Sequence, residues 1–130
     1  MKTPFLSGDC RFLDYGSTVE IGEMVGNVDL WHLNLTDGHH HFNLHPLTPE
    51  MLNEFAWQLQ ARIDEHNIRP LMENHDASAL ICVDGTIEPY ILRFILDQGL
   101  TSEHRINVTD VDLKKIIELI HTAPFNKEGN

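Results

Sequence analysis

Basic side chains are scarce in this chain: 9 lysines and arginines stand against 20 aspartates and glutamates in 130 residues, a formal net charge of −11. A surface of that sign repels phosphate backbones and anionic lipid, which argues against direct partnership with nucleic acid or membrane. Cysteine is nearly absent. Cys10 and Cys82 form no CxxC pair, which points to reduced thiols in a cytoplasmic protein rather than a disulfide framework. Long apolar runs are missing too: the most apolar stretch, Tyr90 to Leu96, is broken by Arg93 and falls far short of a membrane span. The opening residues Met1 to Phe5 lack the apolar region of a signal peptide. No phosphate-binding glycine loop, GxSxG elbow, HExxH motif or paired-carboxylate motif occurs, so no catalytic class is named by motif. No internal repeat, linker or low-complexity tract is visible. What remains is a 42% hydrophobic chain that reads as one domain over residues 1–130, with 126–130 as a frayed polar tail.

Histidine, by contrast, is plentiful, and six of the nine fall between His32 and His45. Protonating all nine would move the formal charge from −11 to −2, a large latent change near neutral pH. The run surrounds Asp37-Gly38, a strong hairpin signal, and apolar residues alternate through it, as in a structured segment rather than a tag.

Periodicity divides the chain. Residues 11–15, 18–24, 29–35 and 39–45 read as strands, the middle two and the last alternating apolar with polar. Thr48-Pro49-Glu50 is a helix start, followed by a stripe of Leu52, Phe55, Ala56, Leu59 and Ile63, with Glu54, Gln58, Arg62 and Glu65 away from it. Residues 78–83 read as a buried strand. For 88–98, Gly99 before Leu100 resembles a C-cap and favours helix, with a strand paired across Asp84-Gly85 as the alternative. Thr109 and the acids after it open a final helix bearing Leu113, Ile116, Ile117 and Ile120. The expected architecture is α+β: an antiparallel meander with helices packed on its apolar face.

With Asp37 and Gly38 as loop residues, Leu33 faces Phe42 and Trp31 faces Leu44. A three-residue loop over 25–27 then sets Ile21 against Trp31 and Val19 against Leu33. The solvent face then carries the rows Glu20–His32–Asn43 and Thr18–Asn34–His41. His39 and His45 share that face and His40 falls on the other. His32, His39, His41 and His45 with Glu20 form a candidate metal set. Imidazoles with one carboxylate suit zinc, iron, nickel or copper. The competing reading is the wetted side of a half-buried sheet.

Other candidates are weaker. Cys82 lies mid-strand and reads as a buried thiol, Glu73-Asn74-His75-Asp76 as a polar loop, and Trp57 as packed at the flank of its helix. Two functions follow. The first is a small acidic module that binds a protein partner or a second copy of itself: a subunit, inhibitor, immunity-type protein or chaperone. The alternative is a metal-binding protein or metalloenzyme built on the histidine hairpin.

Overall fold

The computed structural model describes residues 10–24, 27–38, 40–65, 72–74, 79–85, 87–98, 100–123 and 126. Their order is β1 (Cys10–Phe12), β2 (Thr18–Met24), β3 (Asn27–Asp37), β4 (His40–Leu47), α1 (Pro49–Glu65), β5 (Met72–Asn74), β6 (Ala79–Asp84), β7 (Tyr90–Gln98), β8 (Leu100–Val108) and α2 (Asp110–His121). The strands form two four-stranded antiparallel meanders, β1-β2-β3-β4 and β5-β6-β7-β8, and each meander is followed by a helix. The expected α+β class is what forms.

The chain is therefore a ββββα unit used twice, although no repeat shows in the sequence. The correspondence holds rung by rung. In the first unit Ile21 pairs with Leu33 and Leu33 with Leu44; in the second Val83 pairs with Leu92 and Leu92 with Ile106. One rung along, Val19–Leu35–Phe42 corresponds to Ile81–Phe94–His104. Trp31–Leu47 corresponds to Tyr90–Val108, and each of these rungs ends in a threonine that caps the following helix. Thr48 Oγ1 accepts from the Met51 amide at 3.2 Å, and Thr109 Oγ1 from the Asp112 amide at 3.3 Å. Side-chain identity drifts while the alternation and the cap stay, because burial demands only apolar character of suitable size.

The inward faces of both sheets and the apolar stripes of both helices form one core. Phe42 of the first sheet meets Phe94 of the second edge-on, ring centroids 5.6 Å apart. The helices pack against each other. No helix of the described residues is long and apolar enough to cross a membrane.

Several expectations are corrected. Residues 90–98 are strand, not helix. Tyr90, Leu92 and Phe94 point inward, but Ile91 and Ile95 on the other face are apolar as well, which hides the two-residue period. Residues 100–108 form a further strand, β8, paired with β7, and Glu73 and Asn74 belong to β5 rather than a loop. His75 and Asp76 lie outside the described residues. Arg62 is buried rather than turned away, since 52, 55, 59 and 62 continue one helical stripe. Asn126 is tied down instead of frayed, its side chain bonding Asn53 Oδ1 at 2.9 Å and the Ile120 carbonyl at 2.7 Å. Residues 127–130 lie outside the described ones.

Candidate functional site

The strand registers in the first sheet decide what the histidine face becomes. Asp37 pairs with His40, Leu35 with Phe42 and Leu33 with Leu44, so β4 is displaced by two residues from the expected pairing. Val19 likewise pairs with Leu35 and Ile21 with Leu33. A two-residue displacement keeps every side chain on its expected face, so alternation alone does not separate the two registers. The turn does: the left-handed backbone falls on Gly38, with φ of 59°, and Asp37 adds one more rung.

The consequence is chemical. Glu20 stands opposite Asn34, not His32, and the row reads Cys10–Glu20–Asn34–Asn43. The next row is Phe12–Thr18–Thr36–His41, while His32 faces Gly22. His32 and the rung holding His41 are four residues apart on β3, about 13 Å at the rise of a strand, too far to share one ion. Both ring nitrogens named Nδ1 are engaged locally. His32 Nδ1 lies 3.3 Å from Asn43 Nδ2, and His41 Nδ1 lies 3.2 Å from Thr36 Oγ1. An amide nitrogen only donates, so in this pairing Asn43 Nδ2 donates and His32 Nδ1 accepts. Asn43 Nδ2 also donates to Asn34 Oδ1, and Asn34 Nδ2 donates to Glu20 Oε1 at 3.1 Å. The outcome is a hydrogen-bonded ladder across three strands, with His32 only 1% exposed and Asn34 buried. Among the described residues no group of three His, Cys, Asp or Glu is placed to hold a metal ion. His39 and the side chains of His40 and His45 lie outside the described residues, so of the five expected ligands Glu20, His32 and His41 are placed, and they do not converge.

The corresponding face of the second sheet is ionic. Arg93 bridges Asp84 at 2.9 Å and Glu103 at 2.8 Å, and Arg105 also holds Glu103. These two guanidinium groups pull the Glu103 carboxyl down to about 2. Cys82 sits on this outer face, opposite Arg93, rather than in the core. Burial first, and then the nearby Asp84 carboxylate, push its thiol up, which is the reverse of what a nucleophile needs. Cys10 is raised by burial and by Glu20.

A different gathering of side chains surrounds the start of α2. Asp112, fully buried, accepts from the Asp14 amide at 2.9 Å and from the Thr109 amide at 3.0 Å. Thr109 Oγ1 donates to Asp14 Oδ2 at 2.8 Å, and the Asp110 amide donates to Glu88 Oε2 at 2.8 Å. Lys115 Nζ donates to the Phe12 carbonyl at 3.1 Å. The β1–β2 turn and the β6–β7 turn are thus fastened to one helix end. That end carries Phe12, Tyr15, Ile87, Ile91 and Val111, all exposed, with Phe12 at 75% and Ile87 at 82%. Beside it a cleft of about 370 Å3 opens between the sheets, lined by Tyr15, Ser17, Asp37, Ile91, Arg105, Ile106 and Asn107. Sequence patterning misses this apex because its residues come from three separated segments. The local signal was an unpaired one: apolar residues at turns, where polar ones are usual.

Beneath the apex lies Arg62, 2% exposed. It donates to the Gly85 carbonyl, and its guanidinium carbon stands 5.0 Å over the Tyr90 ring. Among the described residues its buried Nε and Nη1 have no hydrogen-bond partner. Burial first, and then the nearby Asp110 carboxylate, raise the Tyr90 hydroxyl above its ordinary value. Trp57, expected to pack at the flank of α1, is 63% exposed.

No known protein family, no curated protein and no solved structure matches the chain.

Proposed function

We propose that this chain is a small, acidic, cytoplasmic protein-interaction module that binds a protein partner, or a second copy of itself, at the apex around the start of α2. The observation that carries the reading is the clustering there. Of six exposed large apolar side chains among the described residues, five lie on the segments that reach this end: Phe12 at the close of β1, Tyr15 in the β1–β2 turn, Ile87 in the β6–β7 turn, Ile91 early in β7 and Val111 in the first turn of α2. Exposed apolar side chains gathered near a cleft are a usual mark of an interface, since leaving them in water forgoes burial. The supporting frame is rigid: Asp112, Asp14, Glu88 and Thr109 lock the turns, so little order is lost on binding. The cleft beside Tyr15 offers an anchor pocket with Asp37 and Arg105 as polar markers of orientation.

The test combines sedimentation velocity on the purified protein with affinity purification of the tagged chain from its own cells. The wild type is expected to form a dimer or to retain one protein in near-equal amount. Ile87→Ser with Val111→Ser should weaken that association at least about tenfold, roughly 1.4 kcal/mol. A monomeric wild type without such a partner, or a double variant that keeps it, would overturn the reading. The metal alternative has its own measurement. Stoichiometric zinc, iron or nickel in the untagged protein, lost in His32→Ala/His41→Ala, would return the function to the hairpin.

A further inference from the structure

The duplicated architecture supplies an internal control for Trp57, among the described residues the one large exposed apolar side chain outside the apex. Counting from the capping threonines, Trp57 of α1 corresponds to Glu118 of α2. Both are exposed, and an acid is what a wetted helix face ordinarily carries. The fold thus has no need of an indole at this position, yet Trp57 is 63% exposed and the other tryptophan, Trp31, is in the core.

Its surroundings have one sign of charge. At helical spacing from Trp57 stand Glu50, Asn53 and Glu54 on one side and Gln60 and Asp64 on the other, all exposed. Glu54 accepts from the Gln58 amide at 3.1 Å and Asp64 from the Gln60 amide at 3.1 Å. Among the described residues no cation pairs with Glu50, Glu54 or Asp64. The basic residue of this helix, Arg62, is turned inward onto Tyr90. A flat π-face flanked by carboxylates attracts a cation twice, through the ring quadrupole and through Coulomb attraction.

We propose that the α1 face centred on Trp57 is a second docking surface, for an arginine- or lysine-bearing protein segment whose cation stacks on the indole while Glu50, Glu54 and Asp64 receive neighbouring basic groups. It rests on the reading of the chain as an interaction module, but puts a partner of different chemistry on a different face. The net charge of −11 favours approach of such a segment and repels nucleic acid.

The probe is a decapeptide of alternating arginine and glycine, titrated by calorimetry into the full chain at about 0.15 M salt, where distant charges are screened. The wild type is expected to bind at one site, with Trp57→Ala weakening binding at least about tenfold and Trp57→Tyr restoring part of it. Glu54→Gln should weaken it measurably, and Glu118→Gln, which removes the same charge from α2, should not. Because Trp57 is on the surface, Trp57→Ala should keep the thermal midpoint of the wild type, which excludes misfolding as the cause. No binding by the wild type, equal binding by Trp57→Ala, or equal weakening by Glu54→Gln and Glu118→Gln would each overturn the proposal. The apex variant Ile87→Ser/Val111→Ser should bind the peptide normally, so failure here and failure at the apex are separable.

Discussion

The first ββββα unit and the second present the same inner face and opposite outer faces. Inside, Leu33 and Leu92 sit at matching rungs between matching neighbours, both wholly buried. Outside, the first sheet is spanned by a ladder that ends on Glu20 and whose buried middle is amide and imidazole, Asn34, Asn43 and His32, while the second is spanned by Asp84, Arg93, Glu103 and Arg105. The first set is largely removed from water and the second stands in it. Neutral hydrogen bonds suit the drier face, because burying charge costs far more than burying an amide that is bonded. The core is thus a constraint shared by both units, and the outer face is where they diverge.

The strongest test of the shared core is a matched pair of cavities. Leu33→Ala and Leu92→Ala should each cost about 3–4 kcal/mol, read from urea unfolding. The two values should agree within about 1 kcal/mol, and each variant should still unfold in one transition. If Leu92→Ala produced a biphasic curve, the units would be separate cores, contrary to the Phe42–Phe94 contact between the sheets.

Next in size is the fastening between the units. Asp112 ties the β1–β2 turn of the first unit to the helix of the second, whereas the corresponding residue of α1 is Met51. Asp112→Ala removes a capping carboxylate and strands the Asp14 and Thr109 amides, a loss expected at about 2–4 kcal/mol. Thr109→Ala should cost more than Thr48→Ala, because only the former also releases Asp14. Equal costs would show that the link to Asp14 contributes nothing.

A second asymmetry lies in the helices. Where α2 is followed by buried Ala123, α1 buries Arg62 with two donors unsatisfied among the described residues. Arg62→Met keeps the volume and removes those donors, so its stability should lie within about 1 kcal/mol of the wild type or above it. Arg62→Ala, which also empties the space over Tyr90, should be worse by about 2 kcal/mol. A large loss in Arg62→Met would mean that the guanidinium itself matters.

How far these features were legible follows from where their information lies. Alternation marked β2, β3 and β4, and Thr48-Pro49 and Thr109 marked both helix starts, since these signals are local. β7 was misread because its outer face carries Ile91 and Ile95, and the duplication was hidden because Phe42 and His104 satisfy the same rung with unrelated side chains. For His32 and His41, the described pair, the side of the sheet is the expected one and the row is not. A two-residue slide leaves the side unchanged and moves Glu20 from His32 to Asn34. The apex was invisible for a different reason, being assembled from residues near 12, 87 and 111 only by the folded chain.

The smallest expected effects concern the outer faces. Asn34→Ala strands half-buried partners at Glu20 and Asn43 and should cost about 1–2 kcal/mol. Arg93→Ala touches a solvated network and should cost less. Acid acts directly on the ionic face. Glu103 is held at about 2 by Arg93 and Arg105, below an ordinary value of 4.5. Since the folded value is the lower one, the pair's contribution is present in full above about pH 5 and fades as pH falls toward 2. Glu103→Gln should therefore lower the urea midpoint slightly at neutral pH, and its difference from the wild type should shrink to nothing by about pH 2. A difference that stays constant across that range would assign the loss to packing of the Glu103 side chain rather than to its charge.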